Sequence, residues 1–102
     1  MTPEAKIKAK VKKLLAEHNA YYFMPVQTGY GAQTLDFLVC AYGLFIGIET
    51  KVPGRKPTAN QQRVVEAIQG AGGIAVVEYG DLFGLADVLE DARNVKEALC
   101  KQ

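Results

Sequence analysis

Three polar side chains, Asp36, Glu49 and Lys51, interrupt an otherwise apolar stretch in the middle of this chain. Residues 34–41 and 44–52 read as two strands around Tyr42-Gly43, a pair suited to a tight hairpin turn. A turn centred there opposes Ala41 with Leu44, Cys40 with Phe45, Leu38 with Gly47, and Asp36 with Glu49. Both acids then share a face, and Lys51 joins them because side chains alternate along a strand. Opposed Cβ atoms lie about 4.5–5.5 Å apart, so two ionised carboxylates so placed repel unless a cation bridges them or one takes a proton. A divalent ion with oxygen ligands at about 2.1 Å fits that gap. Gly47, on the same face, is expected to leave room for an ion or ligand. Phe37, Val39, Ile46 and Ile48 face the other way and fill a core. The plainer reading of the same residues is a surface acid pair partly neutralised by Lys51.

The flanking segments define what holds this hairpin. Thr2-Pro3-Glu4 is a helix start, with a hydroxyl cap, proline at the first helical position and an acid in the first turn. Ile7, Val11, Leu14 and Leu15 form one apolar stripe, giving a helix over 3–18 with Glu4 at the stripe's inner edge. Tyr21 to Met24 is a short edge strand ending at Pro25, and Thr28-Gly29-Tyr30-Gly31 is a loop. Residues 53–57 form a basic loop. Thr58 begins a second helix, with Val64, Val65, Ile68 and Ala71 inward and Gly70, Gly72 and Gly73 closing it. Residues 74–79 are a buried strand reached by a crossover, hence parallel to its neighbour. Asp81 is expected to cap a last helix carrying Leu82, Leu85, Ala86 and Leu89, with a break near Asn94. The order is α-β-β-β-α-β-α, a single α/β domain over residues 1–102.

Composition narrows the function classes. A chain of 102 residues, 49% hydrophobic and 23% charged, is an ordinary globular one rather than a disordered one. Its apolar runs are too short and too glycine-broken to span a membrane, and its lysine-rich start is unlike a secretion signal. Two cysteines form no disulfide framework, which points to the reducing cytoplasm. The net charge of +1 hides an uneven distribution. Residues 1–20 carry five lysines against two acids, residues 51–63 carry four bases and no acid, and residues 76–91 carry five acids and no base. If the two basic segments share a side, the domain has a polar axis suited to a polyanion.

An acid on one strand followed by Glu49-Thr50-Lys51 on the next resembles the PD-(D/E)XK nuclease superfamily, and the details are similar to its VRR-NUC branch. The glycine loop Gly29-Tyr30-Gly31 precedes the acid, Gly47-Ile48-Glu49-Thr50-Lys51 supplies the central motif, and Pro53-Gly54, Thr58-Ala59-Asn60-Gln61 and a glycine-rich helix end follow in order. The match runs from Glu4 to about Leu89. Leu35 stands where the family usually has proline, a change that removes no ligand.

The resemblance implies a restriction-endonuclease-like αβββαβ core, with a mixed sheet flanked by helices, and hydrolysis of phosphodiesters in DNA. It places Mg²⁺ or Mn²⁺ on Asp36, Glu49 and the Thr50 carbonyl, hard oxygen ligands for hard ions. Lys51 then positions or deprotonates the attacking water and stabilises the transition state. The neighbouring acids keep it protonated, which favours the electrostatic role. Glu4 looks in from the first helix, or simply complements its positive N-terminus. Gln61 either approaches the site or serves a capping box with Thr58. Arg55, Lys56 and Arg63 are candidates for phosphate contacts, and Lys6, Lys10 and Lys13 form a possible second stripe. Tyr30 is a weak candidate for stacking on a base. Stand-alone members of the branch resemble phage-type enzymes acting on branched DNA, with Holliday junctions the leading substrate. Cutting both strands needs two sites, so a symmetric homodimer in a phage or bacterial host cell is expected. The rival classes are a nuclease-like fold that binds nucleic acid without cutting, and a domain in which the metal is structural.

Overall fold

The computed structural model describes residues 1–26 and 33–101. Seven elements follow in the expected order. They are helix α1 (Pro3–Glu17), strands β1 (Tyr21–Phe23), β2 (Phe37–Ala41) and β3 (Leu44–Thr50), helix α2 (Ala59–Gly70), strand β4 (Ile74–Glu78) and helix α3 (Phe83–Cys100). One mixed sheet has the order β1-β2-β3-β4, antiparallel across the first two pairings and parallel across the last. Among the described residues no helix is long and apolar enough to cross a membrane.

The hairpin register is the one the turn dictates: Phe37 pairs with Ile48, Leu38 with Gly47, Val39 with Ile46 and Ala41 with Leu44. Tyr42 and Gly43 both take positive φ, 53° and 82°, as a two-residue turn between twisted strands requires. The strands are shorter than the apolar pattern indicates: the β2–β3 ladder ends at Phe37 and Ile48, while β3 continues through Thr50 against β4. Beyond that point Asp36 N donates to Glu49 Oε1 and Thr50 N donates to Asp36 Oδ2.

One face of the sheet carries the main core. Phe37, Val39, Ile46 and Ile48 pack with Val11 and Leu15 of α1 and with Leu85 and Leu89 of α3. Helix α2 lies against the other face. There the expectation for Gly47 fails. A Cβ on this residue would stand 2.6 Å from Ile68 Cδ1 and 3.0 Å from Leu35 Cδ1, so the space belongs to the helix packing and not to a ligand.

Helix ends follow their local chemistry. Thr2 Oγ1 accepts from Ala5 N at 3.1 Å, and Thr58 and Gln61 form the reciprocal capping box. The start of α3 differs from the expectation. Leu82, at φ 63°, occupies the cap position with no side-chain cap bond. The turn is held instead by Glu78, 2% exposed, whose Oε1 accepts from Gly80 N and Leu82 N at 3.0 and 2.9 Å. Asp81 Oδ1 accepts from Phe83 N at 3.2 Å. No break occurs at Asn94, where neither glycine nor proline interrupts the helix, and α3 runs on through Val95 and Leu99.

Candidate active site

Asp36 and Glu49 follow directly from the register, as the pair beyond Phe37 and Ile48. Each acid reaches the other strand's backbone. Asp36 N donates to Glu49 Oε1 at 3.2 Å, and Thr50 N donates to Asp36 Oδ2 at 3.1 Å. The Thr50 hydroxyl donates to that same Oδ2 at 2.6 Å. The two carboxyl groups are therefore latched across the mouth of the hairpin, and they meet as the sequence spacing requires. The sequence resemblance gave Thr50 only a carbonyl; its hydroxyl and amide also fix Asp36, a role that residue type alone does not reveal.

Glu49 is 2% exposed. Burial, reinforced by the Asp36 charge, raises its pKa to about 7, against the opposing pull of the Lys51 ammonium and the bond from the Asp36 amide. Two compensating groups converge on its other oxygen. Gln61 Nε2 donates to Oε2 at 2.7 Å, and Lys51 Nζ lies 3.8 Å away. Gln61 has a partner at each end of its amide. Oε1 accepts from Thr58 N at 2.9 Å in the capping box while Nε2 holds Glu49. The cap thus fixes the orientation of a side chain in the site.

Glu4 stands at the rim, half exposed, and is linked to Asp36 through a residue the sequence reading left unassigned. Lys8 Nζ lies 3.8 Å from Asp36 Oδ1 and 4.0 Å from Glu4 Oε1. Its only sequence signal is its place one helical turn after Glu4. A cleft of about 330 Å³ opens beside the acids, lined by Glu4, Lys51, Arg55, Lys56 and Thr58 among others. Arg55 and Lys56 therefore stand in the wall of this cleft. Arg63, on α2, and Lys6, on α1, are exposed and do not line the cleft. Lys10 reaches Gly80 O at 3.5 Å and lines a separate depression with Lys13. The loop with Gly29, Tyr30 and Gly31 lies outside the described residues.

Among the described residues no three His, Cys, Asp or Glu side chains converge as a metal cluster. The donors available to an ion are two carboxyl groups and a neighbouring main-chain carbonyl. This set fits Mg²⁺ or Mn²⁺, which keep several waters and need few protein ligands. The pKa of Glu49 is raised first by burial and then by the Asp36 charge beside it, and a cation held between the two carboxyl groups would offset both.

Neither family profiles nor curated proteins match the sequence. A solved structure described as a VRR_NUC domain does match, with a TM-score of 0.71 over 89% of this chain and 97% of that one, at 22% identity. The chain has the VRR-NUC fold. It has the mixed four-stranded sheet and flanking helices of that architecture. The VRR-NUC fold brings its central hairpin and α2 together at the latched acids, so the polar groups picked out by spacing stand at one point on the sheet.

Proposed function

We propose that this VRR-NUC-fold domain is a Mg²⁺- or Mn²⁺-dependent endodeoxyribonuclease that hydrolyses phosphodiester bonds in branched or double-stranded DNA. The observation that carries the reading is the latched Asp36–Glu49 pair, with one acid buried and held near neutrality and a lysine beside it. A structural acid pair gains nothing from such crowding, whereas a divalent ion relieves it. When bound, the ion supplies Lewis-acid polarisation of the phosphate and a water of lowered pKa.

The protein's own residues do the rest. Asp36, Glu49 and the Thr50 carbonyl hold the ion. Gln61 fixes one oxygen of Glu49, and Thr50 fixes one oxygen of Asp36. Lys51, whose ammonium lies beside Glu49 Oε2, orients the attacking water and stabilises charge growing on the phosphate. Arg55 and Lys56 grip the flanking backbone. Holliday junctions are the favoured substrate, resolved by a symmetric homodimer that brings two such sites to one branch point, in the cytoplasm of a phage-infected or bacterial cell.

A synthetic four-way junction incubated with Mg²⁺, Mn²⁺ or EDTA tests this. Cleavage with either ion and none with EDTA is expected, and sedimentation velocity should give a dimer. Glu49→Gln and Lys51→Ala should each abolish cutting while DNA binding persists. Binding without cleavage in the unmodified protein would identify a non-catalytic nucleic-acid module. Ion-dependent folding without DNA binding would identify a structural metal site.

A further inference from the structure

We propose that Lys8 is a resident cation of the acid pair: its ammonium holds Asp36 in the metal-free protein, competes with the divalent ion for that carboxylate, and so sets metal affinity. The inference rests on the reading of Asp36 and Glu49 as metal ligands. Asp36 Oδ2 is already committed to the Thr50 amide and hydroxyl, which leaves Oδ1 for a ligand from outside the hairpin. Lys8 Nζ stands 3.8 Å from that oxygen. Lys51 does not share the role, because its ammonium lies beside Glu49 Oε2. Each acid has its own lysine, one from β3 and one from α1.

The placement of Lys8 is built into α1. Ile7 and Val11 are buried in the core and fix the helix about its axis, which turns position 8 toward the start of β2. The Lys8 side chain is 32% exposed, against 50% for Glu4. Glu4, one turn earlier, offers the ammonium a second carboxylate at 4.0 Å. An ion arriving at Asp36 therefore displaces Lys8 toward Glu4, at the mouth of the cleft lined by Lys51, Arg55 and Lys56. Metal uptake then adds a positive charge to the wall that faces DNA, so the two ligands favour each other's binding.

Mn²⁺ binding to the intact domain without DNA, followed by calorimetry and by the spin-resonance signal of free Mn²⁺, tests the proposal. Lys8→Met keeps the apolar stem and removes the charge; it should bind Mn²⁺ about fivefold more tightly, the scale of one partly exposed ion pair. Lys8→Arg, which restores the charge, should return the affinity to within about twofold of the unmodified protein. Circular dichroism and thermal unfolding of both variants confirm that they are folded. Equal or weaker Mn²⁺ binding by Lys8→Met overturns the role of Lys8 and leaves the metal reading standing. Failure of the unmodified protein to bind Mn²⁺ overturns both.

Discussion

At the scale of single residues, Glu49 links stability to pH. Its pKa rises from 4.5 to about 7 on folding, first through burial and then through the Asp36 charge. An acid raised in this way binds its proton more tightly in the folded chain, so its contribution is fully present below pH 4.5 and is lost as pH climbs to 7. In metal-free buffer, the stability of the unmodified protein relative to Glu49→Gln should therefore fall across that window. Urea unfolding of both proteins between pH 4 and 8 measures it, and a flat difference would mean that folding leaves the Glu49 pKa unchanged. Gln61 gives a second residue-level prediction, because one amide serves both a cap and an acid. Thr58→Ala removes the cap alone and should cost about 1 kcal/mol. Gln61→Ala also strips Glu49 Oε2 of its hydrogen-bond donor and should cost about 2 kcal/mol. It should lower cleavage more than Thr58→Ala does, and that comparison separates positioning of the acid from helix stability.

At the scale of elements, the decisive contact is α2 against β3 at Gly47. A Cβ there meets the tip of Ile68, an atom that can yield, and Leu35 beyond it. Gly47→Ala should cost about 1–3 kcal/mol by overpacking. Ile68→Val, which removes Cδ1, should recover part of that loss, so the double variant is more stable than the two single effects added together. Thermal unfolding of the four proteins of this cycle gives the answer; strict additivity would place the strain elsewhere. The same position shows where the sequence was legible and where it was not. Period-two alternation and a two-residue turn set the whole hairpin register, and with it the meeting of Asp36 and Glu49, because both signals are local. That Gly47 faces α2 depends on how a crossover helix seats on the sheet, which no local pattern records. The start of α3 is set non-locally for the same reason. Asp81 is a good cap by residue type, but the buried carboxylate of Glu78 claims the backbone of that turn. Lys8 escaped notice because one lysine among five on α1 carries no distinguishing mark until the helix is fixed against β2.

At the scale of the molecule, a net charge of +1 gives almost no long-range pull on DNA, so the DNA binding proposed above would have to come from where the charges stand. Lys51, Arg55 and Lys56 gather in one cleft, and among the residues lining it Glu4 is the only acid. The five acids of residues 76–91 lie outside that lining, one of them, Glu78, being occupied in holding the start of α3. The cleft is thus a local basic patch on a nearly neutral body. Each phosphate contact releases counterions and steepens the fall of log affinity with log salt by about 0.9 on duplex DNA. Arg55→Ala combined with Lys56→Ala should flatten that slope by about 1.8 and weaken binding at low salt far more than at high salt. Mn²⁺ affinity in the absence of DNA should change little, since neither side chain touches Asp36 or Glu49. Fluorescence anisotropy of a labelled junction over a salt series, in EDTA to prevent cutting, reads the slope directly. An unchanged slope would move the DNA path off this cleft, and the exposed lysines of α1 and Arg63 of α2 would be the next surfaces to substitute.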